Sequence, residues 1–443
     1  MTTLRKRSGK VEMYSSLLEF APDLPSSAIS VFEDPDELTM VGDSVQKMFI
    51  QATYQYISLV MGEDAHQDEV MARALSDRCW EEFNTSYWAW VPDVWRKLYS
   101  YAALYCSAAH LNQYLKSHQI DVQALRDALL CCDMGLIMGK PVLDGLLTRL
   151  ATRCHETLTH HYEDTEREEQ HRGDPVQGSH VVGPANDPFH ISDGTLGEAH
   201  LRTPSDAPPI TTPLARLRCP SLETFSREML GRRAAVLTEC VGHWRALRWT
   251  LAGLERIAGH RTVPVELGAR YTDAGWSQRL MTLGQFVAEH VRRPAAGRPG
   301  YLAQYELFDQ IPELAADIAA PEYCWLGERQ SVHTNVWLGP AGTVSPLHHD
   351  PKHNCLVQVF GCKYVQVFAP EEAARLYPHE GALLHNTSRV DAERPDLVRF
   401  PLFAEARGWQ TVLGPGEVLY MPPGWWHYVR SLSVSCSVSF WFE

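Results

Sequence analysis

Asn335-Val-Trp-Leu-Gly-Pro-Ala-Gly-Thr-Val-Ser-Pro-Leu-His-His-Asp350 is the stretch on which the fold turns. On an extended chain, residues two apart face the same side. His348 and Asp350 therefore present an imidazole and a carboxylate to one point, while His349 faces away. A third group of the same kind must come from a strand distant in sequence. His427, in Met421-Pro-Pro-Gly-Trp-Trp-His-Tyr428, follows a Pro-Gly turn and enters such a strand.

The surroundings of that stretch are short alternating or apolar runs punctuated by Gly and Pro: Val332 to Leu338, Cys355 to Phe360, Lys363 to Phe368, Glu417 to Met421, His427 to Val429 and Val434 to Phe442. This is the pattern of an antiparallel barrel or jelly-roll, in which strands far apart in sequence become neighbours. Two histidines and a carboxylate on one face of a metal form the facial triad of non-haem Fe(II) oxygenases, which leaves coordination positions open. His-x-Asp by itself is a common tripeptide, and His349 or His353 offer competing ligand sets. Both rank lower, because His349 points off the face and His353 lies on the turn side of Pro351-Lys352. An oxygenase that consumes 2-oxoglutarate also needs a cation for the far carboxylate of that cosubstrate. Lys363 suits the task, since it follows the turn Gly361-Cys362 in a hairpin that starts just beyond the ligands. Asn354 and Ser345 flank the His-x-Asp and can donate hydrogen bonds to the same molecule.

Outward from this core the 443-residue chain has room for two or three domains. Residues from Met13 to about Tyr162 are helical in pattern, with Val94, Leu98, Tyr101, Ala102 and Tyr105 at three- and four-residue steps. No repeat of fixed period stands out. The aromatic-rich run Tyr87 to Tyr105 reads as core rather than as a peptide groove. Between Glu163 and Pro213 the composition turns charged and then rich in Gly, Pro, Asp, Ser and His, which reads as a linker. The histidines of that region, from His155 to His200, are expected to be solvated. The expected fold class is α+β: an α-helical domain over 1–162, a disordered polar linker over 163–218, and a catalytic region over 219–443. That region has its barrel or jelly-roll core at about 299–443, with flanking helical patterns around Leu222 to Gly231 and Trp244 to Ile257.

A formal charge of −14 disfavours binding to nucleic acid and fits a basic polypeptide partner. Eleven cysteines include no C-x-x-C pair, so zinc modules are not expected. No apolar run is long enough to span a bilayer, and no apolar segment follows Arg5-Lys6-Arg7 as a secretory signal would require. The expected location is the nucleus, with the cytoplasm second.

The Asn335–Asp350 run, the Leu356–Phe368 hairpin and Gly414-Pro-Gly-Glu-Val-Leu-Tyr-Met-Pro-Pro-Gly-Trp-Trp-His-Tyr428 together resemble the Jumonji-C family of Fe(II)/2-oxoglutarate oxygenases. Arg261-Thr-Val-Pro-Val-Glu266, Tyr301-Leu-Ala-Gln304 and Leu307-Phe-Asp-Gln-Ile-Pro-Glu313 extend the resemblance, which covers Cys219 to Glu443. It implies a double-stranded β-helix, cupin-like in fold, with Fe(II) at His348, Asp350 and His427, 2-oxoglutarate at Tyr301, Ser345, Asn354 and Lys363, and O₂ as the oxidant. A member that the chain resembles closely is described as an arginyl C3 hydroxylase, with methyl-lysine demethylase and histone-tail peptidase activities also proposed. Its substrate pocket, carried over, gives Glu266 for a guanidinium and Trp337 and Trp441 as aromatic walls. A carboxylate and flat indole faces are what a planar guanidinium is best held by. The implied partner is an arginine-containing protein such as a histone tail or a ribosomal or chromatin protein. The helical half is left for a further protein partner. His349 departs from the family pattern, where Gln is more usual. A non-catalytic peptide-binding module is the reading from a different class, and the triad together with Lys363 argues against it.

Overall fold

The computed structural model describes residues 32, 35–60, 69–85, 90–117, 121–172, 207–294, 298–329, 331–381 and 384–443. They fall into two compact units, one within 1–179 with 258–263 and the other within 180–257 with 264–443.

The first unit is built on α1 (Asp43–Val60), α2 (Val70–Thr85), α3 (Asp93–Lys116), α4 (Val122–Met138) and α5 (Leu146–Arg172). Every residue of α3 from Leu98 to Ala108 is buried, as expected of a helix enclosed on all sides. The aromatic run is core where described: Trp95, Tyr99, Tyr101 and Tyr105 are buried, Tyr105 stacks on Tyr56 at 4.8 Å, and only Trp90 stands out in solvent. Asp121 caps α4 by accepting from the Ala124 N–H at 3.0 Å. Arg261 belongs to this unit and is buried with Asp133, at 2.8–2.9 Å.

Three expectations need correction here. The helical region does not stop at Tyr162, because α5 runs on to Arg172. The charged segment Glu163–Arg172 is polar, but its Glu, Arg and Gln are strong helix formers, so polarity there marks a helix and not a linker. His155, expected to be solvated, is a buried residue of α5. The rest of the expected linker, 173–206, lies outside the described residues. From Ala207 the chain already belongs to the second unit: Leu214 is buried, and its N–H donates to the Gln410 carbonyl at 2.8 Å. The segment pairs through its backbone and buries only Leu214 among 207–215, so the sequence there holds no run of core residues to read as a strand.

The second unit is a pair of sheets. The larger contains β1 (Arg216–Arg218), β2 (Ala235–Thr238), β3 (Thr262–Leu267), β4 (Ser277–Thr282), β5 (Gly300–Tyr305), β6 (Val332–Gly339), β8 (His353–Phe360), β11 (Val418–Met421) and β13 (Ser435–Phe442), in the order β1-β2-β11-β8-β13-β6-β5-β3-β4. The smaller contains β7 (Val344–His349), β9 (Lys363–Phe368), β10 (Gly408–Leu413) and β12 (Trp426–Ser431), in the order β10-β9-β12-β7. Successive strands from β6 to β9 alternate between the sheets, which is the winding of a double-stranded β-helix. Helix α6 (Leu222–Glu228), capped by Ser221, and helix α7 (Leu251–Ala258) fall where the sequence predicted flanking helices. The turn that carries β8 into β9 requires glycine. Gly361 has φ 72°, and a Cβ there would meet the Val434 carbonyl oxygen at 2.0 Å. Among the described residues no helix is long and apolar enough to cross a membrane.

Candidate active site

The triad assembles across an antiparallel pair of strands. His348 on β7 is the register partner of His427 on β12, and their rings lie 4.2 Å apart. Asp350 follows β7, its carbonyl accepting from the Gly424 N–H at 2.8 Å, so the Met421–Trp425 turn holds it against the strand pair. Asp350 Oδ1 is 3.9 Å from His348 Nε2, and Oδ2 is 3.7 Å from His427 Nε2. All the potential ligand atoms lie within 4.8 Å of one another.

The other nitrogen of each ring faces a backbone carbonyl: His348 Nδ1 lies 2.6 Å from Pro346 O and His427 Nδ1 lies 3.1 Å from Trp425 O. With Nδ1–H donating there, each Nε2 lone pair points to the common centre, the arrangement that orients metal-ligating histidines. Burial, reinforced by His348, lowers His427 to about 4, so its imidazole is in the neutral form that a metal requires. His349 points elsewhere and packs edge-on against Trp426 at 4.6 Å, while His353 Nδ1 lies 2.8 Å from the Tyr420 hydroxyl. Neither joins the cluster, which among the described residues is the only group of its kind.

Beside the triad is a narrow cavity whose walls include Tyr301, Trp337, Ser345, Asn354 and Lys363 along with the three ligands. Eight of the ten residues singled out in the sequence therefore converge on one space. Lys363 is fully buried and, among the described residues, has no carboxylate for a partner. Its ammonium donates to the Tyr301 hydroxyl at 3.3 Å, and burial lowers it to about 7. Tyr301 in turn is bonded to Ser345 and is driven up by burial. Asn354 Oδ1 and Trp441 Nε1 are both buried without a hydrogen-bond partner, and their residues are opposite each other across β8 and β13. Orphaned polar atoms beside a cavity mark a space built for a polar ligand.

The remaining two residues lie on the adjoining strands. Glu266 on β3 pairs in register with Tyr301 on β5. Its Oε2 accepts from Trp276 Nε1 at 3.1 Å, and burial raises its carboxyl above the usual range. Trp441 and Trp337 occupy the same face of the large sheet, since Ser439, which accepts from Trp337 Nε1 at 2.9 Å, is two residues from Trp441.

Three neighbours of the site were not anticipated. Tyr271 sets the edge of its ring toward His348, with centroids 6.5 Å apart, and its hydroxyl meets that of Thr387 at 3.1 Å. Trp276, which holds Glu266, closes the same loop. The loop 268–276 has no periodicity to read, and nothing in the sequence links it to the His-x-Asp. Thr387 comes from the insertion between β9 and β10, which bridges to His348 and covers the free edge of β7.

Comparisons with known proteins agree with this geometry. A model of cupin-like domains matches residues 221–443, and one of KDM8-like N-terminal ARM repeats matches residues 39–170. The repeats escape notice in the sequence because the helices α1 to α5 span 18, 16, 24, 17 and 27 residues, which leaves no fixed period. The chain is 38% identical to lysine-specific demethylase 8 of Xenopus tropicalis, over 84% of this chain and 88% of that protein. It is 38% identical to lysine-specific demethylase 8 of Danio rerio, over 84% and 87%. It is 36% identical to Jumonji C domain-containing protein 5 of Drosophila melanogaster, over 87% and 90%. With helical repeats and a cupin-like domain that both match, and relatives aligned over most of their length, the chain belongs to the Jumonji-C oxygenase family, in the branch of lysine-specific demethylase 8 and Jumonji C domain-containing protein 5.

Proposed function

We propose that the protein is an Fe(II)- and 2-oxoglutarate-dependent hydroxylase of peptidyl arginine. The donor set suits Fe(II): two imidazole nitrogens and a carboxylate on one side, with the cavity on the other. When bound, iron with 2-oxoglutarate and O₂ supplies the oxidation of a C–H bond to C–OH, with release of succinate and CO₂. The chain's own residues do the rest. Lys363, Tyr301, Ser345 and Asn354 hold the dicarboxylate, and the apolar lining of Leu356, Met421 and Val429 keeps water out.

The observation that carries the choice of substrate is Glu266. It is a partly buried carboxylate with a single indole N–H on one oxygen, which leaves Oε1 free for a forked donor. A guanidinium offers two parallel N–H groups and a flat face for Trp337 and Trp441. A methylated ammonium offers neither. The competing reading, methyl-lysine demethylation, draws on the names of the frog and zebrafish relatives. In that reading the hydroxylated methyl group leaves as formaldehyde.

Mass spectrometry of peptides incubated with the full-length enzyme separates the two. Arginine peptides should gain one oxygen on arginine, and methyl-lysine peptides should lose no methylene mass. Demethylation without oxygen retained on arginine would transfer the function to the second reading. Failure of succinate formation with either peptide class would favour a binding module.

A further inference from the structure

Of the eleven cysteines only Cys219 is exposed; Cys131 and Cys240 are partly covered and the others are buried. Cys219 comes directly after β1 and Cys240 comes two residues after β2. These strands pair in parallel with Arg218 opposite Thr238. Neighbouring strands lie about 4.8 Å apart, so residues just past a pair fall within the ~4.4–6.8 Å of Cα separation that a disulfide spans. The backbone then turns the two side chains together. Both chains leave the strand pair through left-handed residues, Cys219 at φ 33° and Glu239 at φ 64°, a conformation uncommon outside glycine.

As a result, the Cys219 N–H, at 2.9 Å, and the Cys240 thiol, at 3.4 Å, donate to one acceptor, the Thr238 carbonyl. The Tyr323 hydroxyl donates to the Pro220 carbonyl at 2.7 Å and is 3.7 Å from Cys240 Sγ. The two thiols interact with each other and both with that hydroxyl. One thiol faces solvent and the other stands behind it, at a site that shares no wall residue with the metal cavity.

We propose that Cys219 and Cys240 form a redox-active dithiol that hydroperoxides convert to an intrachain disulfide, with Cys219 attacked first and Cys240 resolving. In the first step the Cys219 sulfur attacks the peroxide. An S–O bond forms, the O–O bond breaks, and water or an alcohol leaves with the thiol proton, giving a sulfenic acid. In the second, the Cys240 sulfur displaces the sulfenic oxygen. The S–S bond forms, and the oxygen departs as water with the proton of Cys240. The two thiols supply the two electrons that reduce one peroxide. Burial holds the Cys240 thiol up at about 11, which slows its direct reaction with peroxide and leaves the exposed Cys219 to be oxidised first.

Peptide mapping of the full-length protein tests this directly. Trypsin cuts after Arg218, Arg227, Arg233 and Arg245, so Cys219–Arg227 and Ala234–Arg245 each carry a single cysteine. The reduced protein is treated with hydrogen peroxide, alkylated, and digested without reductant. The expected product is those two peptides joined, two hydrogen masses below their sum and separated by dithiothreitol. In Cys240→Ser the sulfenic acid on Cys219 should persist and be captured by a 1,3-dione probe, while the wild type is captured far less. The inference is overturned if the wild-type map lacks the joined pair, if Cys219 couples to another cysteine, or if the wild type takes up as much probe as Cys240→Ser. The wild-type map is decisive even where the variant folds poorly.

Discussion

The buried lysine makes cosubstrate binding depend on pH in a way that can be calculated. Lys363 lies at about 7, lowered by burial from its ordinary value. The ionisable groups that face it are the Tyr301 hydroxyl and the Cys436 thiol, both driven up by burial and so neutral across the working range. Below pH 7 the free enzyme holds an ammonium ready for the far carboxylate. Above it the lysine is neutral, and binding the dicarboxylate must take up a proton. The sign follows: affinity for 2-oxoglutarate falls as pH rises through the pKa of the free enzyme, by up to tenfold per pH unit. If the bound carboxylate restores the lysine toward its ordinary ~10.4, the loss between pH 7 and pH 9 is about fiftyfold.

Isothermal titration of 2-oxoglutarate into the Mn(II)-loaded protein, in two buffers of different ionisation enthalpy, measures both quantities. The dissociation constant should rise with pH, and proton uptake should approach one per molecule bound on the alkaline side. Lys363→Met, which keeps the length and discards the charge, should bind roughly ten- to hundredfold more weakly at pH 7, the ~1.5–3 kcal/mol of a charge-assisted contact, with a flat profile. A flat profile with no proton uptake in the wild type would refute the reasoning, because the lysine would then either keep its charge or not meet the cosubstrate.

Other outcomes follow from the same geometry. His348→Ala removes one of three ligands and should abolish succinate formation while leaving the melting temperature nearly unchanged, since the barrel core is apolar; retained turnover would exclude the triad. Glu266→Gln keeps the shape and discards the charge, so kcat/KM for an arginine peptide should fall about ten- to hundredfold while 2-oxoglutarate still binds. The Glu266 carboxyl is raised by burial, so it loses its charge earlier than an ordinary glutamate on acidification. Arginine-peptide KM in the wild type should therefore rise as pH drops toward 5 and below, and a KM indifferent to acid would remove Glu266 from the substrate pocket. In the helical unit, Asp133→Ala leaves the buried Arg261 guanidinium without its carboxylate and should cost about 3–5 kcal/mol in chemical denaturation; a loss below ~1 kcal/mol would show the pair to be solvated.

Much of the site was legible because strands encode it simply. Alternation fixed which of His348, His349 and Asp350 share a face, and the hairpin around Gly361-Cys362 put Lys363 next to them. Glu266 and the tryptophans came instead from resemblance, because nothing in their own segments announces a ligand. Tyr271, Trp276 and Thr387 stayed hidden for a physical reason: they sit on loops whose course is set by tertiary hydrogen bonds, such as that between Trp276 and Glu266. The boundary at Tyr162 failed because polarity was taken for irregularity, whereas Glu163–Arg172 continues α5. The edge segment before Arg216 failed because its contribution is backbone pairing, which no side-chain pattern records.

On the proposed reading the cavity must recognise two oppositely charged molecules without its own charges cancelling. Lys363 is the cation for a dicarboxylate and Glu266 the anion for a guanidinium, and a lysine and a glutamate buried close together would pair with each other and close both sites. Tyr301 stands between them. As the register partner of Glu266 and the hydrogen-bond acceptor for the Lys363 ammonium, it touches both residues. Its own hydroxyl is raised by burial first and by the Glu266 charge second, so it stays neutral. A neutral phenol can satisfy one donor of the ammonium without removing its charge, which a carboxylate at that position would do. The pocket thus keeps an unpaired cation on one side and an unpaired anion on the other, and each remains free for the ligand of opposite sign.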